Sequence, residues 1–266
     1  KFSAEAFIEA KWVDFNLDPT IKYNATMHWN PKLYILNCLG ELKQQIWYNQ
    51  YSISDYCEKQ GINGIGSPAF GFCDSKSNNS SLKTIGSVIL ERRRMNGSFW
   101  QTLNLKHFPA DVQELTISIG TSKQTNEIKL IHCKDKASSV NIKCFVDSQE
   151  WRLYKHITVR EYVRDSVFSE EIFPAVDFTI NAARRPTFYF WNAFFLIFLI
   201  TFISLTTFSI KCHLNFNRIQ STSTLLLTSV SFKWVINRSL PTVSYMTSLD
   251  KYSLSCMILL CSQCIW

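Results

Sequence analysis

From Phe178 to Leu249 the chain contains no aspartate or glutamate, and from Pro186 to Ile210 it carries no charge of either sign. At about 1.5 Å of rise per residue, such a run crosses a hydrocarbon core of about 30 Å with some tilt. A buried helix of a soluble protein seldom continues so far without a charge. Residues before Pro186 carry nearly all the acids and read as water-soluble. The pattern predicts two parts: a soluble part, 1–185, and a membrane part, 186–266. The membrane part has helices expected at about 186–210, 218–239 and 250–266, the third of them incomplete where the chain stops at Trp266.

The second of these segments is unusual. Seven hydroxyl residues lie between Ser221 and Ser231, and a helix facing only lipid has no use for them. Gln220, Thr224, Leu227, Ser231, Trp234 and Arg238 are spaced by alternating steps of four and three, so they share one helical face. That face is mostly polar with one aliphatic position in its middle. Several copies around an axis would line a water-filled path, with Leu227 as a hydrophobic constriction.

The formal net charge of +7 raises nucleic acid as a partner. The basic residues are scattered, however, and no basic cluster alternates with aromatics. No nucleic acid is expected. The one tight run, Arg92-Arg93-Arg94, is read as a solvated hairpin end. No Gly-rich phosphate loop, paired-His metal motif or nucleophile elbow is present, so neither an enzyme nor a bound metal or cofactor is expected. Of nine cysteines, Cys133 and Cys144 flank a turn and are either bridged or free. Cys256, Cys261 and Cys264 have the spacing of an iron–sulfur loop. The intervening Met257, Ile258, Leu259 and Leu260 are apolar and no loop glycine is present, so all three are read as small residues of a membrane helix.

The soluble part reads as short strands at 2–17, 32–37, 83–94, 98–105, 114–119, 126–131, 140–146, 150–161 and 175–182, with Asn96-Gly97 as a hairpin turn. A Gly- and Ser-rich loop is expected from Gly61 to Ser81. The strand set predicts an immunoglobulin-like antiparallel β-sandwich followed by an α-helical bundle. Asn24, Asn78, Asn79 and Asn96 begin glycosylation sequons, all before the first span, and the basic link from Lys211 to Arg218 suits a cytoplasmic turn. Residues 1–185 are therefore expected outside a multi-pass membrane protein, in the plasma membrane. Lys1 is followed at once by a strand pattern with no signal peptide, as at a processed start or in an incomplete gene sequence.

Several motifs, in order along the chain, resemble the pentameric ligand-gated ion channels, the Cys-loop receptor superfamily. Trp12-Val13-Asp14-Phe15-Asn16-Leu17 is similar to a W-x-D-x-x-L strand end. Trp29-Asn30-Pro31 with Asn37 resembles the W-x-P…N of the first binding loop. Phe108-Pro109-Ala110-Asp111-Val112-Gln113 resembles the F-P-x-D-x-Q signature loop. Arg184-Arg185-Pro186-Thr187-Phe188-Tyr189 is similar to the R-R-P-x-x-Y approach to the first membrane helix, and Ser239 through Asp250 to the link between the second and third. The two cysteines that usually close the signature loop are replaced by Gln101 and Leu115, as in divergent members without that disulfide. The family's first strand and fourth helix have no counterpart here.

The resemblance implies a subunit of a homo- or hetero-pentameric, neurotransmitter-type channel. Its partners are a small-molecule agonist, the bilayer, four further identical or homologous subunits and permeant ions. It implies ligand contacts at Phe7, Tyr34, Leu36, Ser122, Tyr162 and Phe173, and a gating joint at Pro109, Asp111, Arg185 and Pro241, with Asp111 and Arg185 as its charge pair. The vicinal cysteines of acetylcholine-type members are missing, which argues against a cholinergic ligand. Phe216-Asn217 matches neither the cation nor the anion pattern, and Arg238 at the mouth leans toward anions. Trp234 narrows the lining, so a non-conducting or accessory subunit, or a truncated piece of a channel, is the alternative.

Overall fold

The computed structural model describes residues 1–53, 55–56, 86–133, 136–166, 171–211, 214–238, 240 and 242–265. The Gly61–Ser81 stretch, Asn78, Asn79 and Pro241 lie outside the described residues. The chain divides into two compact units. One holds Lys1–Thr102, Leu115–Val140 and Lys155–Ile180; the other holds Leu103–Glu114, Asn141–Tyr154 and Asn181–Trp266. The signature-like loop around Pro109 therefore belongs to the same unit as the helices.

Among the described residues, seven strands form two antiparallel sheets: β1 (Phe2–Asp14), β2 (Leu33–Ile35), β3 (Cys38–Ser52), β4 (Ser87–Phe99), β5 (Val112–Thr121), β6 (Trp151–Asp165) and β7 (Ile172–Arg184). The three-stranded sheet has the order β1-β4-β3 and the four-stranded sheet the order β2-β5-β7-β6. Strand β4 is central and pairs along its length with β1, from Phe2↔Phe99 to Asp14↔Ser87. Its inward residues Ile89, Met95 and Phe99 are fully buried. Leu17, Tyr23 and Ile89 form a core cluster with Trp12, Ala25 and Tyr48 against it. Asn37 ties the sheets together: its side-chain amide donates to the Trp100 carbonyl at 3.2 Å and to the Thr116 carbonyl at 2.7 Å.

The Asn96-Gly97 turn expected from sequence does not exist. Both residues lie inside β4, opposite Glu5 and Ala4. Gly97 makes room for a neighbour instead, since a Cβ there would stand 2.7 Å from Leu42 Cδ1. The arginine run is consequently mid-strand, not a hairpin end. Arg92 pairs with Glu9 at 3.1 Å, Arg94 with Glu5, and the buried Arg93 with the buried Glu91. Partial burial works against ionised Glu9, but Lys136 and Arg92 outweigh it and hold its carboxyl below the ordinary range.

Strand β3 was not legible in the sequence, because few of its residues alternate. A register shift between Leu39 and Lys43, at Gly40 with φ of 74°, bends it. Residues 126–131 do not form the expected strand; the Gln124 carbonyl accepts from Glu127 and Ile128 and turns the chain. Residues 140–146 also fail as a strand, since the Asn141 side chain accepts from the Lys143 amide and closes a single turn over Ile142–Cys144. No disulfide joins Cys133 to Cys144.

Three helices follow: α1 (Thr187–Ser209), α2 (Asn215–Arg238) and α3 (Ser248–Ile265). Among the described residues, α1 alone is long and apolar enough to cross a membrane by length and composition. Helix α2 fails that measure because of its hydroxyls. Helix α3 begins with a capping box in which Thr247 Oγ1 donates to Asp250 Oδ2 at 2.8 Å and accepts from the Asp250 amide at 3.2 Å. The three cysteines Cys256, Cys261 and Cys264 lie along α3. Cys264 Sγ is 2.9 Å from Thr222 Oγ1 of α2.

Candidate functional site

Three clusters contain most of the residues singled out from sequence. The first is aromatic and belongs to the four-stranded sheet. Tyr34 on β2 sits opposite Gly120 of β5. Leu36 follows, its side chain 3.2–3.3 Å from where a Gly120 Cβ would stand, so the glycine accommodates it. On β6, Tyr162 and Arg164 share a face by strand alternation. The Arg164 guanidinium lies 5.9 Å from the Tyr34 ring centre and 6.0 Å from that of Phe173 on β7. Its Nη2 donates to the Tyr34 hydroxyl at 2.6 Å. Burial, then the neighbouring Asp177 carboxylate, pushes the Tyr162 phenol up. Tyr34, Tyr162 and Phe173 are thus gathered around Arg164. Phe7 is elsewhere: it lies exposed on β1, its ring 5.9 Å from Trp47 of β3. Ser122 is exposed just past the end of β5.

The second cluster surrounds the Phe108–Pro109 loop. Leu105 and Phe108 are buried with Ala193 of α1 and Leu249 of α3, and Tyr189, Phe194, Ile236, Leu240 and Tyr245 pack against them. The Tyr245 hydroxyl accepts from the Leu105 amide at 2.8 Å, and the Lys106 carbonyl accepts from the Ser248 amide at 3.1 Å and hydroxyl at 3.0 Å. A cavity of about 670 Å³ opens beside the loop, lined by His107, Pro109, Pro186, Phe190 and Phe194 among others.

Asp111 is 2% exposed and pairs with Arg184, Nε to Oδ1 at 2.9 Å, not with Arg185 as expected from sequence. The cause is strand alternation: neighbouring residues at the end of β7 point to opposite faces. Arg185 is exposed, and its amide donates to the Glu150 carbonyl at 2.8 Å. The Asp111 backbone carbonyl also accepts from the Arg184 amide at 3.0 Å, and Gln113 donates to the carboxylate. The Arg184 guanidinium lies 4.1 Å from the Trp151 ring centre and 5.2 Å from that of Phe108. Neither Arg184 nor Trp151 was singled out from sequence. Alternation along the Arg184-Arg185 pair was the signal that separates the two arginines.

The third cluster is the stripe on α2. Gln220, Thr224, Leu227, Ser231, Trp234 and Arg238 are all exposed in the chain, Leu227 at 67% and Trp234 at 63%. Thr222 and Ser229 are the buried residues of α2. At 3.6 residues per turn they stand opposite the stripe. Thr224 Oγ1 donates to the Gln220 carbonyl and Thr228 Oγ1 to the Thr224 carbonyl, each at 2.8 Å. Their protons are engaged by the helix, so these hydroxyls present oxygen lone pairs outward. The Arg238 guanidinium sits 4.7 Å from the Trp234 ring centre. The packed side of α2 carries Lys233, whose Nζ is 4.0 Å from Asp250.

No family model matches the chain. It is 22% identical over 233 residues to the human neuronal acetylcholine receptor subunit alpha-9, across 82% of this chain and 47% of that protein. It is 28% identical over 160 residues to the bovine alpha-3 subunit, across 59% of this chain and 31% of that protein. To pH-sensitive chloride channel 2 of Anopheles gambiae it is 22% identical over 188 residues, covering 66% and 29% respectively. The chain spans about half or less of the length of these curated relatives. In these likenesses and its ordered motifs the chain is similar to the Cys-loop receptors, with Gln101 and Leu115 at the positions that match the signature cysteines.

Proposed function

We propose that this chain is a subunit of a homo- or hetero-pentameric ligand-gated ion channel. In this reading residues 1–185 form an extracellular β-sandwich, residues 186–266 a multi-pass membrane part, and α2 lines the pore. The observation that carries it is the exposure of the whole α2 stripe while the opposite side of the same helix is packed. The mixed stripe suits a ring of copies in which the hydroxyls face an aqueous axis and Leu227 narrows it.

Ligand binding is assigned to the Tyr34, Leu36, Ser122, Tyr162 and Phe173 side of one subunit, facing Phe7 of a neighbour. Phe7's exposure on the other sheet supports this division. The gating joint is assigned to Pro109, Asp111, Arg185 and Pro241, with Arg184 added as the partner of Asp111. Docking of Leu105 and Lys106 onto Tyr245 and Ser248 supplies a mechanical link from the loop to the start of α3. A small agonist, permeant ions, the bilayer and four further subunits are the partners in this reading.

A non-conducting accessory subunit is the second reading. It is favoured by Trp234, whose exposed indole on the stripe would narrow the path when repeated around a ring. The assembly is tested by imaging detergent-solubilised protein, which should show particles with five-fold symmetry; a monodisperse monomer contradicts both readings. Ligand-dependent current in an expressing cell then separates them.

A further inference from the structure

We propose that Arg164 makes the aromatic cluster a receptor for a small carboxylate and closes it to organic cations. The inference rests on the ligand-gated reading of Tyr34, Tyr162 and Phe173. Aromatic faces recognise cations through their ring quadrupoles. Here that place is taken by the chain itself: the Arg164 guanidinium lies 5.9 Å from the Tyr34 ring centre and 6.0 Å from that of Phe173. An incoming ammonium would have to displace a tethered guanidinium, at high effective concentration, and would meet its charge.

The same guanidinium is well disposed toward an anion. Among the described residues it makes one hydrogen bond, to the Tyr34 hydroxyl at 2.6 Å, while a guanidinium carries five N–H donors. Among the described residues no carboxylate pairs with Arg164, and its side chain is exposed. The flanking rings hold the fork without neutralising it. A planar fork with free donors, fixed by two rings and a hydroxyl, matches a carboxylate in charge and shape.

The test uses the full chain in detergent, with propionate as the carboxylate probe and choline as the cation probe, followed by ligand-observed NMR. The wild type should bind propionate and exclude choline. Arg164→Gln should weaken propionate by about tenfold to a hundredfold, the usual range for losing a charged hydrogen-bond partner. It should also admit choline to the vacated rings. Arg164→Lys, which keeps the charge and loses the fork, should show a smaller loss of propionate and continued exclusion of choline. The proposal is overturned if choline binds the wild type as tightly as propionate, if neither probe binds it, or if Arg164→Gln leaves propionate unchanged. Particle symmetry is read on the same samples. Monomers that prefer propionate sink the channel reading and leave this one standing; five-fold particles that prefer choline do the reverse.

Discussion

Asp111→Asn should lower the unfolding free energy by about 3 kcal/mol, the lower end of the range for removing one partner of a buried ion pair. The carboxylate is nearly inaccessible, and the Arg184 guanidinium it holds is mostly covered. Without it, Arg184 remains as a charge with little water to solvate it. The Trp151 and Phe108 rings retain part of the attraction, which keeps the loss from being larger. At 2–4 °C per kcal/mol for a chain of this size, the thermal midpoint should fall by about 6–12 °C. Adding Arg184→Met should recover much of the loss, because removing both charges leaves nothing unpaired. Arg185→Met should leave the midpoint within a degree or so of wild type, since Arg185 is exposed and contributes its backbone here. If Arg185→Met proved the damaging change and Arg184→Met the silent one, the pairing described above would be wrong.

Leu227→Ser should give current without ligand, or slowed closing, under voltage clamp. A ring of leucines meeting at an axis excludes water by burying apolar surface, worth about 1.5–3 kcal/mol for each fully buried side chain. Serine removes that term and supplies a hydroxyl that water accepts. The balance between closed and open states should shift by about tenfold to a hundredfold per side chain. Helix folding itself should be little affected, because Leu227 is exposed in the chain. Currents indistinguishable from wild type would remove Leu227 from the role of constriction.

What was legible in the sequence depended on period. The stripe of α2 followed from steps of four and three, and its exposure matches the face drawn from them. The apolar run of α1 was legible from the missing charges. Strand β1 was legible in its alternation and ended within three residues of expectation. By contrast, Asn96-Gly97 is a local signal for a turn, but β4 is held by partners on both sides and by Leu42 above Gly97. Long-range pairing overrode the local preference. The arginine run was misread for the same reason: acids on β1, more than eighty positions earlier, pair with Arg92 and Arg94. Arg164 was passed over because nothing in its local sequence tells that Tyr34 will lie beside it. That meeting is made by long side chains reaching across one face of the sheet, in which β2 and β6 are the two outer strands.

Pore lining by α2 requires its hydroxyl stripe to meet water in the assembled protein. The direct measurement is modification of introduced cysteines by a charged, membrane-impermeant thiol reagent while current is recorded, with the unmodified protein as the control for its own thiols. Thr224→Cys should react and block the current, whereas Ser229→Cys, on the packed side of the same helix, should not. Block through Ser229→Cys with Thr224→Cys inert would place the hydroxyl stripe away from the ion path and contradict the account.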